Sequence, residues 1–244
     1  MRKILVTGSG GFVGARILDQ WRGRYELCTF PHGFSADSDE AAVRALIARE
    51  KPDVIVHTAA LSNTAYCASH PEESLRANVL LPEWIAKAAA ETGARLLAFS
   101  SDQVYAGCKR SGPLPETLSL SPANVYGCHK LEAEQRVLAI TPDAVLLRAA
   151  WMYDFPGYRL PIRGNLPLNL LSAAKTGTAL HFSEHDFRGV SYVREVIDKL
   201  IPAMELPGGV PAGVVKWEGR ESTMVPLRFV SEQLGATVDW DNDT

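Results

Sequence analysis

A phenol, an ammonium and a hydroxyl in this sequence could together transfer a proton. Tyr126 and Lys130 are four residues apart, so on a helix they share one face, and Ser101 ends an apolar run. A free phenol has a pKa near ~10, but a neighbouring ammonium and the positive charge of an oxidised nicotinamide would favour the phenolate. Tyr126 could then protonate a carbonyl oxygen as hydride reaches the carbon, while Ser101 hydrogen-bonds that oxygen. The set predicts carbonyl reduction, although Y-x-x-x-K alone occurs often by chance.

A glycine turn precedes these residues in the chain. An apolar run begins near Ile4, breaks at Thr7-Gly8 and gives way to a helical pattern after Gly14, which predicts a buried strand, a tight turn and a helix. Such a turn lets backbone N–H groups approach a pyrophosphate, and the helix directs its positive end at the same anion. The middle glycine, Gly11, comes one residue later than in G-x-G-x-x-G. The alternative is a tight turn with no ligand.

The end of the second strand bears on the choice of nucleotide. The pattern predicts this strand over residues 25–30, and NAD-binding sheets carry an Asp or Glu there for the ribose 2′-OH. None stands at residues 29–34, and the nearest is Asp37. We therefore expect NADP, with NAD as the second candidate. Arg16 or His32 could contact the 2′-phosphate; the alternative is that both are ordinary surface residues.

Strand and helix patterns alternate through the first part of the chain, which predicts an α/β fold with a doubly wound parallel sheet of the Rossmann type. We expect a dinucleotide-binding domain over residues 1–150, with 176–200 packing back onto it. Residues 151–244 would then form mostly a small, reduced C-terminal lobe that binds substrate. The predicted elements are strands at 53–57, 96–99, 144–148, 178–182 and 213–217, and helices at 40–50, 71–93 with an interruption at Pro82, 126–137, 168–174, 193–204 and 225–234. The segments 61–71, 107–122 and 154–167 are predicted as loops.

Composition argues against several classes of partner. The 25 Lys and Arg residues nearly balance 28 Asp and Glu, so no basic stripe indicates nucleic acid. No apolar run approaches the ~20 residues of a membrane span, and we expect no signal peptide before the first strand. The four cysteines lack C-x-x-C spacing and are expected to be free thiols in a cytoplasmic protein.

Two further patterns contain residues that could bind a metal ion or a diphosphate. Residues 181–185 match the H-x-x-E-H string, but the segment is predicted as a strand running into a loop, so we expect no metal site. Arg159 and Arg163 in the loop after residue 153 could meet a diphosphate; the alternative is that they are solvated.

Taken together, these segments resemble the extended short-chain dehydrogenase/reductase family. Within it, the chain is most similar to the dTDP-4-dehydrorhamnose reductases and related sugar-nucleotide-binding proteins. The similarity covers nearly the whole chain, and the segments that carry it are Thr7–Gly14, His57–Ala60, Ser100–Tyr105, Tyr126–Lys130 and Leu147–Tyr153. The family is usually some tens of residues longer, so the resemblance leaves the substrate lobe in question.

The resemblance implies an oxidoreductase that reduces a keto group on a nucleotide-linked deoxysugar with NAD(P)H. It implies catalytic roles for Ser101, Tyr126, Lys130 and Asp102. Contacts to substrate are expected from Gln103, Trp151 and Arg188. The cofactor would be held by Gly8, Gly11, Phe12, Val13, Gly14, Ala59, Ala60, Tyr126 and Lys130. A homodimer is a candidate assembly, and the alternatives are an NADP-binding regulatory subunit or a nucleotide-sugar epimerase or dehydratase.

Overall fold

Five parallel strands form the central sheet of the protein. The computed structural model describes residues 1–31, 33–109, 114–162, 165–182, 189–205 and 238–240. The strands are β1 (Lys3–Thr7), β2 (Glu26–Thr29), β3 (Val54–His57), β4 (Arg95–Ser101) and β5 (Val145–Ala149). Their order is β2-β1-β3-β4-β5, and every neighbouring pair is parallel. The predicted doubly wound parallel sheet is confirmed.

Helices cover both faces of this sheet. The helices described are α1 (Phe12–Trp21), α2 (Phe34–Asp37), α3 (Glu40–Glu50), α4 (Thr64–Ser69), α5 (Pro71–Leu75), α6 (Leu81–Thr92), α7 (Val125–Ile140), α8 (Leu166–Thr176) and α9 (Val193–Ala203). Alternate strand residues belong to two apolar clusters: Leu5 and Ile55 pack with α3 and α6, while Ile4 and Val6 pack with α1 and α9. Burial on both faces explains why these strands are continuous apolar runs. None of these helices is long and apolar enough to cross a bilayer.

The segment between β3 and β4 differs from the sequence prediction. The predicted polar loop contains α4, which Asn63 begins by accepting a hydrogen bond from the Tyr66 backbone N–H at 2.9 Å. The predicted long helix is divided by a π-helical turn over Arg76–Leu80, which ends immediately before α6. Pro82 lacks a backbone N–H, so a change of hydrogen-bond register just before it is expected. Gly93 ends α6 in the left-handed region, as predicted.

The chain after β5 forms two short parallel strand pairs. Strand β6 (Trp151–Tyr153) pairs with β8 (Val190–Tyr192), and β7 (Leu180–Phe182) pairs with β9 (Val238–Trp240). Helices α8 and α9 confirm the predicted helices at 168–174 and 193–204. The elements predicted at 213–217 and 225–234 lie outside the described residues. The division into domains at residue 150 stays a prediction.

A buried ion pair joins this later part of the chain to α1. Arg16 is fully buried, and its Nε donates to Asp154 Oδ2 at 2.6 Å. Its Nη1 donates to the carbonyl oxygens of Phe12 and Pro161 at 2.8 and 2.9 Å, and Arg194 Nε lies 3.2 Å from the same Asp154 oxygen. Both sequence expectations for Arg16 are therefore wrong: it is neither a surface residue nor directed at a ribose phosphate. The carboxylate of Asp154, in the loop after β6, offsets the cost of burying the Arg16 charge.

Candidate active site

The glycine turn after β1 brings backbone groups close together. Gly8 has φ of +66°, and a Cβ there would lie 2.7 Å from the backbone nitrogen of Ala59, which follows β3. A Cβ on Gly14 would lie 2.3 Å from the Gly8 carbonyl oxygen. Side chains are thus excluded from both positions. Gly11 begins α1 without a side-chain cap and no acidic residue occupies the first turn, so the N–H groups of the helix start can receive an anion.

Thr7 and His57 connect the ends of strands β1 and β3 by a hydrogen bond between their side chains. Thr7 Oγ1 lies 2.8 Å from His57 Nδ1 and accepts from the Thr58 backbone N–H at 3.2 Å. Thr58 Oγ1 in turn donates to the Thr7 carbonyl oxygen at 2.6 Å. Burial lowers the pKa of His57 to about 3, so the ring is neutral at physiological pH. His57 is therefore a buried residue of the sheet, 2% exposed.

Ser101 ends β4 and begins a 3₁₀ turn over Asp102–Tyr105. Its hydroxyl donates to Asp102 Oδ1 at 3.1 Å and accepts from the Gln103 backbone N–H at 3.2 Å. Ser101 pairs with Ala149 across β4 and β5, at the carboxyl end of the sheet. Parallel sheets of this kind bind ligands at that end.

Tyr126 lies in the first turn of helix α7, close to Ser101. Asn124 caps the helix by accepting from the Gly127 backbone N–H at 2.8 Å, and its Nδ2 donates to Gln103 Oε1 at 3.0 Å. A Cβ on Gly127 would lie 2.3 Å from the Gln103 carbonyl oxygen, so only glycine allows this approach. The side chain of Ser101 lies close enough to the phenol of Tyr126 to lower its pKa by hydrogen bonding, and both groups line one cavity. The two groups therefore lie together at this end of the sheet, as the sequence predicts.

Burial shifts the pKa values of both Tyr126 and Lys130. Burial raises the pKa of Tyr126 to about 12, and the hydrogen bond with Ser101 opposes this only in part. Burial also lowers the pKa of Lys130 to about 8, while nearby Glu134 acts in the opposite direction. Lys130 Nζ donates to the Phe99 carbonyl oxygen at 2.6 Å. In the protein alone Tyr126 is therefore a neutral phenol. The expectation that Lys130 and an oxidised nicotinamide together favour the phenolate concerns the complex with cofactor and stays a prediction.

A buried ionic network lies behind Lys130. Glu134, one turn further along α7, accepts from Arg148 Nη2 at 2.6 Å and from the Ser100 hydroxyl. Arg148 Nη1 also donates to the Tyr105 hydroxyl at 2.7 Å, and the hydrogen bonds to Glu134 raise the pKa of Arg148. The network joins α7, β5 and the 3₁₀ turn, and thereby fixes the framework around Ser101.

A cavity of about 1490 Å³ opens at this end of the sheet. It exceeds the ~300–1,000 Å³ of typical small-molecule pockets, so it has room for a dinucleotide and a substrate together. The predicted site residues that line it are Gly8, Gly11, Phe12, Val13, Ala59, Ala60, Ser101, Asp102, Gln103, Tyr126, Lys130 and Trp151. Gly14 does not line the cavity and instead packs behind Gly8. Arg188 lies outside the described residues, as does His32.

Sequence reasoning missed several polar residues of the cavity wall. These are Ser62, Asn63, Thr64, Glu73, Arg76, Asn165 and Asn169. Asn63 and Asn165 each stand one residue before a helix and cap it, a signal that could have been recognised. The position of Arg76 depends on the π-helical turn, for which the sequence carries no clear pattern.

The metal and cysteine predictions concern residues away from this cavity. Within the described ranges, no group of three or more His, Cys, Asp or Glu side chains could hold a metal ion. His181 lies in β7, and the remaining polar residues of the H-x-x-E-H string lie outside those ranges. The four cysteines are free thiols, as predicted.

The chain was compared with known protein families. The sequence profile described as "RmlD substrate binding domain" matches residues 1–205. A profile described as "Copper amine oxidase N-terminal domain" matches residues 210–244, of which the structure describes only 238–240.

Individual relatives extend this comparison. A dTDP-4-dehydrorhamnose reductase of Mycolicibacterium smegmatis is 35% identical over 153 residues, which are 62% of this chain and 46% of that protein. Methionine adenosyltransferase 2 subunit beta of Xenopus laevis is 36% identical over 161 residues, 62% of this chain and 47% of that protein. The chain thus spans about half the length of these curated relatives. A dTDP-4-dehydrorhamnose reductase of Bacillus anthracis, solved in complex with NADP, has the same fold: its TM-score is 0.76 at 20% identity, over 84% of this chain and 72% of that one.

Proposed function

This chain belongs to the RmlD substrate binding domain family, and we propose that it reduces a keto group on a nucleotide-linked deoxysugar with NADPH. NADH is the second candidate for the cofactor. One observation carries the proposal: Ser101, Tyr126 and Lys130 line a single cavity that the glycine turn also lines. The reductase of Mycolicibacterium smegmatis and the NADP complex from Bacillus anthracis support the reaction and the cofactor respectively.

The glycine turn fits the pyrophosphate of a dinucleotide. The first turn of α1 offers backbone N–H groups, while the Gly11 N–H closes the turn by donating to the Gly8 carbonyl oxygen at 2.8 Å. A side chain at Gly8 is excluded because its Cβ would collide with Ala59. Ala59 and Ala60 give the neighbouring wall a small-residue surface. When bound, the reduced nicotinamide supplies a hydride. Lys130 and Tyr126 are the residues proposed to hold its ribose.

Tyr126 is proposed as the proton donor to the substrate oxygen. A donor must carry its proton at the working pH, and burial raises the pKa of Tyr126 to about 12, which keeps the phenol protonated. Ser101 would hold the same oxygen through its hydroxyl, and Asp102 orients Ser101 through a 3.1 Å hydrogen bond. The positive charge of Lys130 would stabilise the phenolate left after proton transfer.

The sugar is proposed to lie against Gln103 and Trp151. Trp151 is 46% exposed and lines the cavity, and Gln103 Oε1 accepts a hydrogen bond from Asn124. The contact proposed for Arg188 rests on the resemblance alone. The cytoplasmic location and the homodimer stay predictions.

Turnover tests this proposal directly. Purified protein would be given NADPH and a panel of nucleotide-linked 4-keto deoxysugars, with loss of NADPH absorbance and product identity as readouts. We expect a stoichiometric conversion of keto-sugar to hydroxy-sugar. Tight NADPH binding without turnover on any member of the panel would overturn the reductase assignment.

The second candidate is an NADP-binding regulatory subunit, since one relative is named as a subunit, methionine adenosyltransferase 2 subunit beta; the reductase relatives favour the first candidate. That relative is as similar in sequence as the reductase from Mycolicibacterium smegmatis. The two candidates differ in one outcome of the experiment above, since a regulatory subunit would bind NADPH without oxidising it.

A further inference from the structure

Arg76 stands at the part of the cavity that follows β2. It begins the π-helical turn, and its Nη2 donates to the carbonyl oxygen of Ser38 at 2.5 Å. Its guanidinium carbon lies 5.5 Å from the centre of the Trp84 ring, a cation–π distance. These two contacts hold the guanidinium beside the segment that links β2 to α3.

This segment is where a dinucleotide places its adenosine ribose. In doubly wound sheets the end of the second strand faces the ribose 2′ position, and an arginine nearby accommodates a 2′-phosphate. Thr29, Phe30, Pro31 and Gly33 line the same cavity as Arg76. The cation therefore shares a wall with the residues that would surround that ribose.

The acidic groups nearby do not take the place of a ribose-binding carboxylate. Asp37 is exposed and does not line the cavity. Glu73 does line it, but its Oε2 accepts a hydrogen bond from the Tyr66 hydroxyl at 2.9 Å. Arg16, the cation that the sequence favoured, is buried against Asp154 and is not part of the cavity wall.

We propose that Arg76 binds the 2′-phosphate of NADP(H) and so selects it over NAD(H). The inference rests on the proposed function, because it requires a dinucleotide in this cavity. A guanidinium can donate two parallel N–H bonds to a phosphate, which a 2′-hydroxyl cannot accept in the same way. The selecting cation then comes from the helical segment after β3, not from the end of β2 or the glycine turn.

The experiment compares binding of NADPH and NADH to the full chain and to Arg76→Gln by calorimetry. Loss of a charge-assisted hydrogen bond is expected to weaken NADPH about 10- to 100-fold. NADH should change less than about threefold, because it lacks the phosphate. Arg44→Gln is the matched control, since Arg44 pairs with Glu91 on the surface and should leave both affinities unchanged.

A second measurement keeps the inference testable if Arg76→Gln folds poorly. Adenosine 2′,5′-bisphosphate and 5′-ADP would compete for the wild-type protein and for Arg76→Lys, which keeps the charge but loses the planar donor pair. We expect a preference for the bisphosphate in wild type that is reduced in Arg76→Lys.

The outcomes separate the two proposals. If Arg76→Gln weakened the binding of NADPH and NADH equally, or if the wild-type protein bound both with equal affinity, the proposed role of Arg76 would be overturned. The reductase proposal would still stand. Failure of wild-type protein to bind either dinucleotide would overturn both.

Discussion

Lys130 Nζ lies 2.6 Å from the carbonyl oxygen of Phe99, so the backbone of β4 holds the ammonium at the centre of the candidate site. The side chain is almost fully buried, and this burial lowers its pKa to about 8. A lysine with that pKa loses its charge close to physiological pH. The burial of Lys130 therefore affects both how stability depends on pH and how much positive charge is present at the candidate site.

The first prediction concerns stability in alkaline solution. Between about pH 8 and 10.5 Lys130 is neutral in the folded state but protonated in the unfolded chain, so the unfolded state binds the extra proton. Lys130 therefore contributes a rise in the free energy of unfolding as pH increases, with a slope of up to about 1.4 kcal/mol per pH unit. Lys130→Met should remove this contribution. Urea unfolding between about pH 8 and 9.5 measures it.

The control for this experiment is Lys175→Met, at the exposed end of α8. It should retain the wild-type dependence on pH. Equal slopes for wild type and Lys130→Met would show that burial does not depress the lysine pKa.

The second prediction concerns the proton donor. Tyr126→Phe keeps the ring in its buried place and removes the hydroxyl that contacts Ser101. We expect keto-sugar reduction to fall about 10²- to 10⁴-fold, because no other group donates that proton, while NADPH affinity stays nearly unchanged. Steady-state kinetics and calorimetry measure the two effects. Tyr25→Phe, on a tyrosine that packs against Trp21, is the control; full activity in Tyr126→Phe would exclude Tyr126 as the acid.

The third prediction concerns the distance between α7 and the 3₁₀ turn. Gly127→Ala places a Cβ 2.3 Å from the Gln103 carbonyl oxygen, so the helix must move and carry Tyr126 away from Ser101. The free energy of unfolding should fall by about 1–3 kcal/mol, as overpacking does elsewhere. Turnover should fall as well, even at temperatures where the variant is fully folded. Cys128→Ala, on the exposed side of the same helix, should change neither quantity.

The fourth prediction concerns the buried pair of Arg16 and Asp154. Asp154→Asn leaves the Arg16 charge buried without a full counter-charge, and should cost about 3–5 kcal/mol of unfolding free energy. Arg16→Met combined with Asp154→Asn should cost less than Asp154→Asn alone, because no uncompensated cation remains inside. Glu91→Gln breaks the exposed pair with Arg44 and should cost under ~1 kcal/mol. Similar losses for Asp154→Asn and Glu91→Gln would contradict a buried pair.

The sequence is most informative where one residue type has one structural role. Apolar runs such as Val54–His57 predict strands because both faces of the sheet are buried, and Gly93 predicts the end of α6 because it adopts a positive φ. Helix α4 was predicted as a loop because it has only six residues, of which Cys67 alone is buried, so no apolar stripe signals it. The π-helical turn depends on hydrogen-bond register, which periodicity does not reveal.

The candidate site shows the same division. The sequence predicts that three residues lie together, and the structure places all three around one cavity: Ser101, Tyr126 and Lys130. This was possible because strand ends and helix faces follow from spacing. The raised pKa of Tyr126 in the protein alone does not follow from spacing, because it depends on burial by residues distant in the chain. The burial of Arg16 could not be predicted for a similar reason: its partner Asp154 lies 138 residues away. Arg76 gained its place from a helix distortion and a contact with Ser38.

The distant partner of Arg16 also limits how the protein can be made. A polypeptide ending at residue 150 would contain all five strands of the central sheet and the complete glycine turn. It would lack Asp154 for Arg16, and it would lack α9, which packs on the same face as α1. We therefore expect the amino-terminal half of a nascent chain to reach its native packing only after α9 has been synthesised. A fragment that ends at residue 150 is expected to accumulate in insoluble form.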